Sequence, residues 1–215
     1  MAVVRWMSWI VTLGVAVMLL PVGVLAQAYE TPTPARLSAE EMAAVSAGEF
    51  VIRTRRGQLN RGEVIGVVDA PIAQVWEVIL DFDRYASWMD QLEVTRTLRH
   101  EGDVRICEGI TRVPFPIRNR YWHVRVEGGA RMVGGQTHYV GTWSYIPGTG
   151  NVEDTFGYWY VTPMPDAPER TLVKYVLLAD LGIWVPNAIL AWGTRRLLPS
   201  VMGGLRDEVA RRFRS

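Results

Sequence analysis

A single cysteine, Cys107, stands in a chain of 215 residues. No internal disulfide can form, so packing and hydrogen bonding must hold the fold. An excess of charge of one sign is also missing, with 23 basic residues against 22 acidic ones. That balance supplies no general electrostatic attraction for nucleic acid. RTRR at Arg53–Arg56 reads as a solvated strand face. The histidines His100, His123 and His138 lack metal-ligand spacing, and Cys107 has no second thiol beside it. No metal site and no cofactor are therefore expected. The motifs G-x-S-x-G, C-x-x-C and H-E-x-x-H and a phosphate loop are absent. Several hydrolase and nucleotide-binding classes are thereby excluded.

What is present begins with an apolar N-terminus. Arg5 is the only charge before Glu30. Ile10–Leu20 is almost wholly apolar, Pro21 breaks the run, and VLAQA offers small residues at signal-peptidase spacing. Residues 1–28 are read as a signal peptide, and the body as exported to a bacterial periplasm. The alternative is an anchor retained through residues 6–27, a run that would just span a bilayer. Residues 29–36 read as a linker and residues 37–215 as one domain.

Within that domain Ser38 and Glu41 have capping-box spacing for a short helix over Leu37–Val45. Strands follow at Glu49–Thr54 and Glu63–Val68. Pro71 suits a first helical turn, and Ile72, Val75, Trp76 and Ile79 form one apolar stripe. Asp81 and Asp83 are read as caps or turn formers around a second short helix. Six strand candidates come next: Leu92–Leu98, Val104–Ile110, Arg120–Glu127, Gln136–Ile146, Asp154–Pro163 and Thr171–Leu181. They are separated by HEGD, VPFPIRN, GGARMVGG, PGTGN and PMPDAPE, all read as turns. The spacing predicts an antiparallel meander. After Gly182 the period changes to that of a helix running from Pro186 towards Phe213, kinked at Pro199. Ile189, Trp192, Leu197, Val201, Leu205, Val209 and Phe213 fall near one side of it.

The order of elements, with three segments, resembles the START-type or polyketide cyclase-like domains of the helix-grip (SRPBCC) superfamily. The segments are VVDAPIAQVWEVILDFDRYASWM at Val67–Met89, VPFPIRNRYW at Val113–Trp122, and DLGIWVPNAILAWGTRRLLPSVMGGLR at Asp180–Arg206. Arg120 is followed here by Tyr121, where START domains usually carry Asp. The resemblance implies an α+β helix-grip fold. A curved antiparallel sheet would wrap around a long C-terminal helix, with two short helices after the first long strand and an apolar cavity inside.

The function this implies is binding, and transport, of a hydrophobic ligand such as a lipid, a sterol-like molecule or a quinone. One alternative is a cyclase or aromatase acting on a polyketide-like substrate. Another is a protein-interaction module. If the strands flanking Pro114 form a hairpin, Glu108 and Arg120 fall about opposite each other and point inward as a pair. A register one residue off would leave both in solvent. Trp88, Trp122, Trp143, Tyr145, Tyr158, Tyr160, Tyr175 and Trp192 complete the candidate ligand-binding set. Trp184 and Trp192, with Ile189 and Leu190, are candidates for an entrance or a membrane-touching rim, and a buried helix face explains them equally well.

Overall fold

The structure, a computed structural model, describes residues 29–55, 60–115, 117–184 and 187–213, with the side chains of 187–194 excepted. The signal-peptide reading of residues 1–28 therefore lies outside the described residues, as does Pro186. Two compact units divide at Glu30, Met1–Glu30 and Thr31–Ser215, and the fold below is that of the second. Among the described residues no helix is long and apolar enough to cross a membrane.

Helix α1 (Ala39–Ser46) starts where the capping box predicts. The Ser38 hydroxyl accepts from the Glu41 N–H at 3.1 Å, and the Ser38 N–H donates to the Glu41 carboxylate at 2.9 Å. Strands β1 (Val51–Arg55) and β2 (Asn60–Val68) follow, then α2 (Ile72–Leu80) and the 3₁₀ turn η1 (Phe82–Ser87). Pro71 occupies the N-cap of α2, and Val75, Trp76, Val78 and Ile79 are its buried face. Asp81 stands at the junction of α2 and η1, as C-cap of the one and N-cap of the other, but neither its side chain nor that of Asp83 makes a capping hydrogen bond. Asp81 accepts from Arg212 at 2.7 Å, and Asp83 accepts from the Thr97 backbone N–H. Long-range partners captured both carboxylates.

Six strands continue the chain: β3 (Leu92–Glu101), β4 (Val104–Thr111), β5 (Arg120–Val133), β6 (Gln136–Tyr145), β7 (Asp154–Met164) and β8 (Ala167–Asp180). With β1 and β2 they make one antiparallel sheet in the order β1-β2-β8-β7-β6-β5-β4-β3. GGARMVGG is only partly a turn. β5 runs on through it and reverses at Gly134-Gly135, both at positive φ (57° and 81°), the pair a two-residue hairpin requires. PMPDAPE likewise contracts to a two-residue connection between Met164 and Ala167.

Helix α3 (Asn187–Phe213) lies along the concave face of the sheet. Among its described side chains the buried apolar ones are Leu198, Val201, Met202, Leu205 and Val209, with Glu208 buried beside them, while Leu197 is exposed. Two glycines of β2 admit the helix. A Cβ on Gly62 would meet Leu198 at 3.0 Å, and one on Gly66 would meet Met202 at 3.0 Å. Farther along, a Cβ on Gly204 would stand 2.2 Å from the Trp88 carbonyl oxygen. Backbone meets backbone there, so only glycine fits. The larger core fills the space between α2, η1, α3 and the concave face. A smaller one, built on Val45, Ile65, Val67, Met164 and Leu172, lies between α1 and the convex face.

Candidate functional site

A cavity of about 1020 Å³ opens on the concave face of the sheet, bounded by α2, η1 and the middle of α3. Its walls are mainly apolar, with Ile79, Phe82, Met89, Leu92, Val124 and Leu198 among them. Space persists beside so many aromatic residues because of glycines in the strands. Trp122 sits opposite Gly109 on β4, and Trp143 sits opposite Gly157 on β7. A Cβ on Gly109 would come within 2.3 Å of the Trp122 ring, and one on Gly157 within 2.0 Å of the Trp143 ring. Trp76 from α2 similarly covers the facing pair Gly128–Gly141, at 3.1 Å from each built Cβ. Each indole therefore lies across the neighbouring strand instead of standing up into the cavity. The Trp122 indole N–H donates to the Thr111 hydroxyl at 2.9 Å, which fixes the ring further.

Arg120, the first residue of β5, is 7% exposed and lines the cavity. The loop between β6 and β7 positions it. The Asn151 side chain accepts the Tyr121 N–H at 2.7 Å and donates to the Asn119 carbonyl at 3.1 Å, while the Asn151 N–H donates to the Tyr121 carbonyl at 3.0 Å. Gly150 permits this docking, since a Cβ there would stand 2.0 Å from the Tyr121 carbonyl oxygen. Arg120 Nη1 then donates to the Asn151 carbonyl at 3.3 Å, and its Nε has no partner. No carboxylate pairs with Arg120 among the described residues. A guanidinium this buried normally has an acidic partner. PGTGN reads in the sequence only as a turn, so the supporting roles of Gly150 and Asn151 are not visible there.

The expected Glu108–Arg120 pair does not form. Glu108 faces His123 across the ladder and Arg120 faces Thr111, so the register is displaced by three residues from the one that would pair them. An odd displacement sends the two side chains to opposite faces. Arg120 is inside. Glu108 is on the convex face with Arg96, with the Tyr121 hydroxyl donating to it at 3.2 Å and His123 Nε2 at 3.5 Å. Burial opposes its ionisation, but the hydrogen bond and charge of Arg96, helped by Tyr121 and His123, hold the carboxyl below the usual carboxylate range.

The other candidates divide by strand parity. Trp122, Trp143 and Tyr175 line the cavity with Arg120. Tyr158 and Tyr160 do not. They alternate with Trp159 and point to the convex face, where Lys174 lies 5.4 Å over the Tyr158 ring and His138 Nδ1 is 3.2 Å from the Tyr160 hydroxyl. Tyr145 is buried but outside the cavity wall. Trp88 packs against Tyr85, ring centroids 4.8 Å apart, under α3 and away from the cavity. Trp192 belongs to α3, but its side chain is outside the described residues. Sequence reasoning missed Tyr85 and Trp159, which both line the cavity. Among the described residues no three His, Cys, Asp or Glu side chains converge on a metal position.

Exposed lining residues include Arg55 and Asn60 of the β1–β2 hairpin, Arg112 and Pro114 of the β4–β5 connection and Arg195 and Leu197 of α3, together with Leu80 of α2 and Glu127 of β5. Phe115, 95% exposed, follows Pro114, and Trp184, 84% exposed, follows the lining residue Leu181 by three positions.

No curated protein matches the chain significantly. Its fold is similar to a STAR-related lipid transfer protein from Xanthomonas axonopodis, with a TM-score of 0.63 at 15% identity, covering 74% of this chain and 93% of that one. It is similar to human StAR-related lipid transfer protein 5, with a TM-score of 0.59 at 14% identity over 76% and 88% of the two chains. It is also similar to an aromatase/cyclase from Streptomyces sp. R1128, with a TM-score of 0.56 at 19% identity over 74% and 98%. Across residues 68–206 the sequence matches the model of one family, and the chain belongs to it: polyketide cyclase / dehydrase and lipid transport.

Proposed function

We propose that this protein binds and carries a hydrophobic small molecule whose apolar body occupies the cavity and whose polar end meets Arg120. The observation that carries this reading is the buried Arg120 guanidinium, without a carboxylate partner, on the wall of a mainly apolar space of about 1020 Å³. A volume of that order suits a lipid-sized molecule, and apolar walls with a few placed polar groups suit an amphiphile. Trp122, Trp143 and Tyr175 supply flat contact surface, and a ligand oxygen would give Arg120 the acceptor it lacks. The fold likeness to lipid transfer proteins and the family match agree with a carrier. An export signal in residues 1–28 would place this carrier in a periplasm, where an apolar cargo needs shelter from water.

Delivery would occur at a lipid surface. Exposed Phe115 and Trp184 follow the lining residues Pro114 and Leu181 by one and three positions, and Arg55, Arg112 and Arg195 are exposed lining residues. Aromatic side chains beside arginines suit an anionic bilayer. The acid expected to serve a cyclase, Glu108, lies on the other face of the sheet, although another buried carboxylate, Asp154, lines the cavity.

Native mass spectrometry of the protein from an exporting host, with lipid extraction, tests the reading. A stoichiometric apolar adduct is expected in the wild type and a weakened one in Arg120→Met. A protein that stays bare after incubation with total lipid extract would overturn it.

A further inference from the structure

Deep in the cavity, away from Arg120, a second set of polar groups faces the ligand space. Tyr85, Trp159 and Tyr175 are 7%, 2% and 7% exposed, and all three line the cavity. The rings of Trp159 and Tyr175 are 4.5 Å apart between centroids. Tyr85 donates its hydroxyl proton to the Ile79 carbonyl at 2.6 Å, which leaves its oxygen lone pairs available. The Trp159 indole N–H acts on the Tyr85 hydroxyl without reaching hydrogen-bond geometry, and it has no other partner. The Tyr175 hydroxyl makes no hydrogen bond to any described residue. Burial raises both phenols well above their ordinary value, so both keep their protons and Tyr175 can act as a donor.

Plain packing does not account for these groups. Phenylalanine at Tyr175 would fill the same space without burying a polar atom, and an unused buried donor is costly. Arg105, whose charge reaches Tyr85, is turned to the Leu80 carbonyl at 2.5 Å. At this end of the cavity the Tyr175 hydroxyl is thus a neutral donor. The position of these groups is also defined. Trp159 follows Asp154 by five residues on β7, about 16 Å along an extended strand. Asp154 lies beside the Asn151 loop that holds Arg120.

We infer that Tyr85, Trp159 and Tyr175 form a subsite for a neutral, hydrogen-bond-accepting oxygen, such as a ketone, an ester carbonyl or a hydroxyl. This oxygen would sit at the buried end of the ligand. The inference rests on the carrier reading and narrows it: the cargo has an oxygen function at each end of an apolar body. Tyr175 donates to the inner oxygen, the Trp159 ring packs beside it, and Tyr85 accepts from it when it is a hydroxyl.

The test uses two probes of equal length, pentadecan-2-one and pentadecane, delivered from cyclodextrin to the full chain. Displacement of the dye 1-anilinonaphthalene-8-sulfonate reports binding. The wild type should favour the ketone by roughly tenfold, as one buried hydrogen bond implies. Tyr175→Phe, which keeps the ring and removes only the hydroxyl, should abolish that preference and leave pentadecane affinity unchanged. Arg120→Met should leave the preference intact. Equal binding of the two probes by the wild type would overturn the subsite and leave the carrier reading standing. So would a preference that survives Tyr175→Phe but disappears in Arg120→Met. If neither probe displaces the dye, the carrier reading falls and the subsite falls with it.

Discussion

The two faces of strands β6, β7 and β8 use the same kinds of side chain to opposite effect. On the concave face Trp143, Trp159 and Tyr175 border empty space. On the convex face Phe156, Tyr158 and Tyr160 are 6%, 0% and 4% exposed, with Lys174 set over Tyr158. Aromatic content therefore does not determine whether a wall is hollow or solid. The residue opposite each ring does. Trp143 faces Gly157 and lies down across it, while Tyr158 faces Thr142 and Val176 and cannot. The concave face keeps its volume because its largest side chains lie flat.

Truncation should separate the two faces most sharply. Tyr158→Ala removes a fully buried ring and should cost about 4 kcal/mol of stability. Trp143→Ala should cost less than half of that, since its ring already borders space and no new cavity is enclosed. Urea denaturation of both variants measures the difference, and equal losses would break the comparison. Adding one carbon should have the next largest effect. A Cβ at position 157 would meet both the Trp143 ring and the Val176 carbonyl oxygen, the latter at 2.4 Å, so Gly157→Ala should cost about 3 kcal/mol. At position 109 the nearest atoms all belong to the far end of the Trp122 side chain and none to backbone, so Gly109→Ala should cost about 1 kcal/mol. It should also lift the ring into the cavity and weaken ligand uptake.

Acid should have a smaller effect, outside both faces. The Glu208 carboxyl is held below its ordinary 4.5 by the hydrogen bond from Arg211; burial opposes this, and the bond and charge of Arg212 reinforce it. A lowered folded-state value contributes stability that is complete above pH 4.5 and is lost as pH falls through the lowered value. Urea midpoints of wild type and Glu208→Gln should therefore differ at pH 7 and converge under acid. The smallest effect belongs to the convex-face cluster at Glu108. Glu108→Gln should change stability by less than about 1 kcal/mol and leave ligand uptake untouched, as measured by the same titration and by dye displacement. A clear loss of uptake would return Glu108 to the functional site.

Much of the fold was legible because local signals agreed. Pro71 with its apolar stripe, the glycine- and proline-rich breaks between strands, and the change of period after Gly182 all point to a sheet gripping one helix. The site was less legible, and the reason is register. Arg120 and Trp122 share a parity, and so do Glu108 and Ile110, but nothing in the connection Arg112–Asn119 says how the two strands align. Tyr158-Trp159-Tyr160 poses a related problem, since both parities are aromatic and alternation cannot say which one faces inward. The usable signal was a glycine in mid-strand. Gly109, Gly141 and Gly157 mark the concave face, and each lies beneath a tryptophan.

Gly204 has a mechanical consequence. Its contact with the Trp88 carbonyl brings α3 against the chain after η1. On the same stretch Arg206 donates to the Val67 and Gly48 carbonyls at 2.7 and 2.8 Å, and Arg212 ties Glu208 to Asp81. The helix is thus a beam clamped along its C-terminal half. Pro199, just ahead of the clamp, contributes no N–H to the helix, which makes it the section of least bending stiffness. Arg195, Arg196 and Leu197 lie N-terminal to that section and line the cavity. A ligand pressing on them would bend the helix at Pro199 before it shifted the C-terminal half.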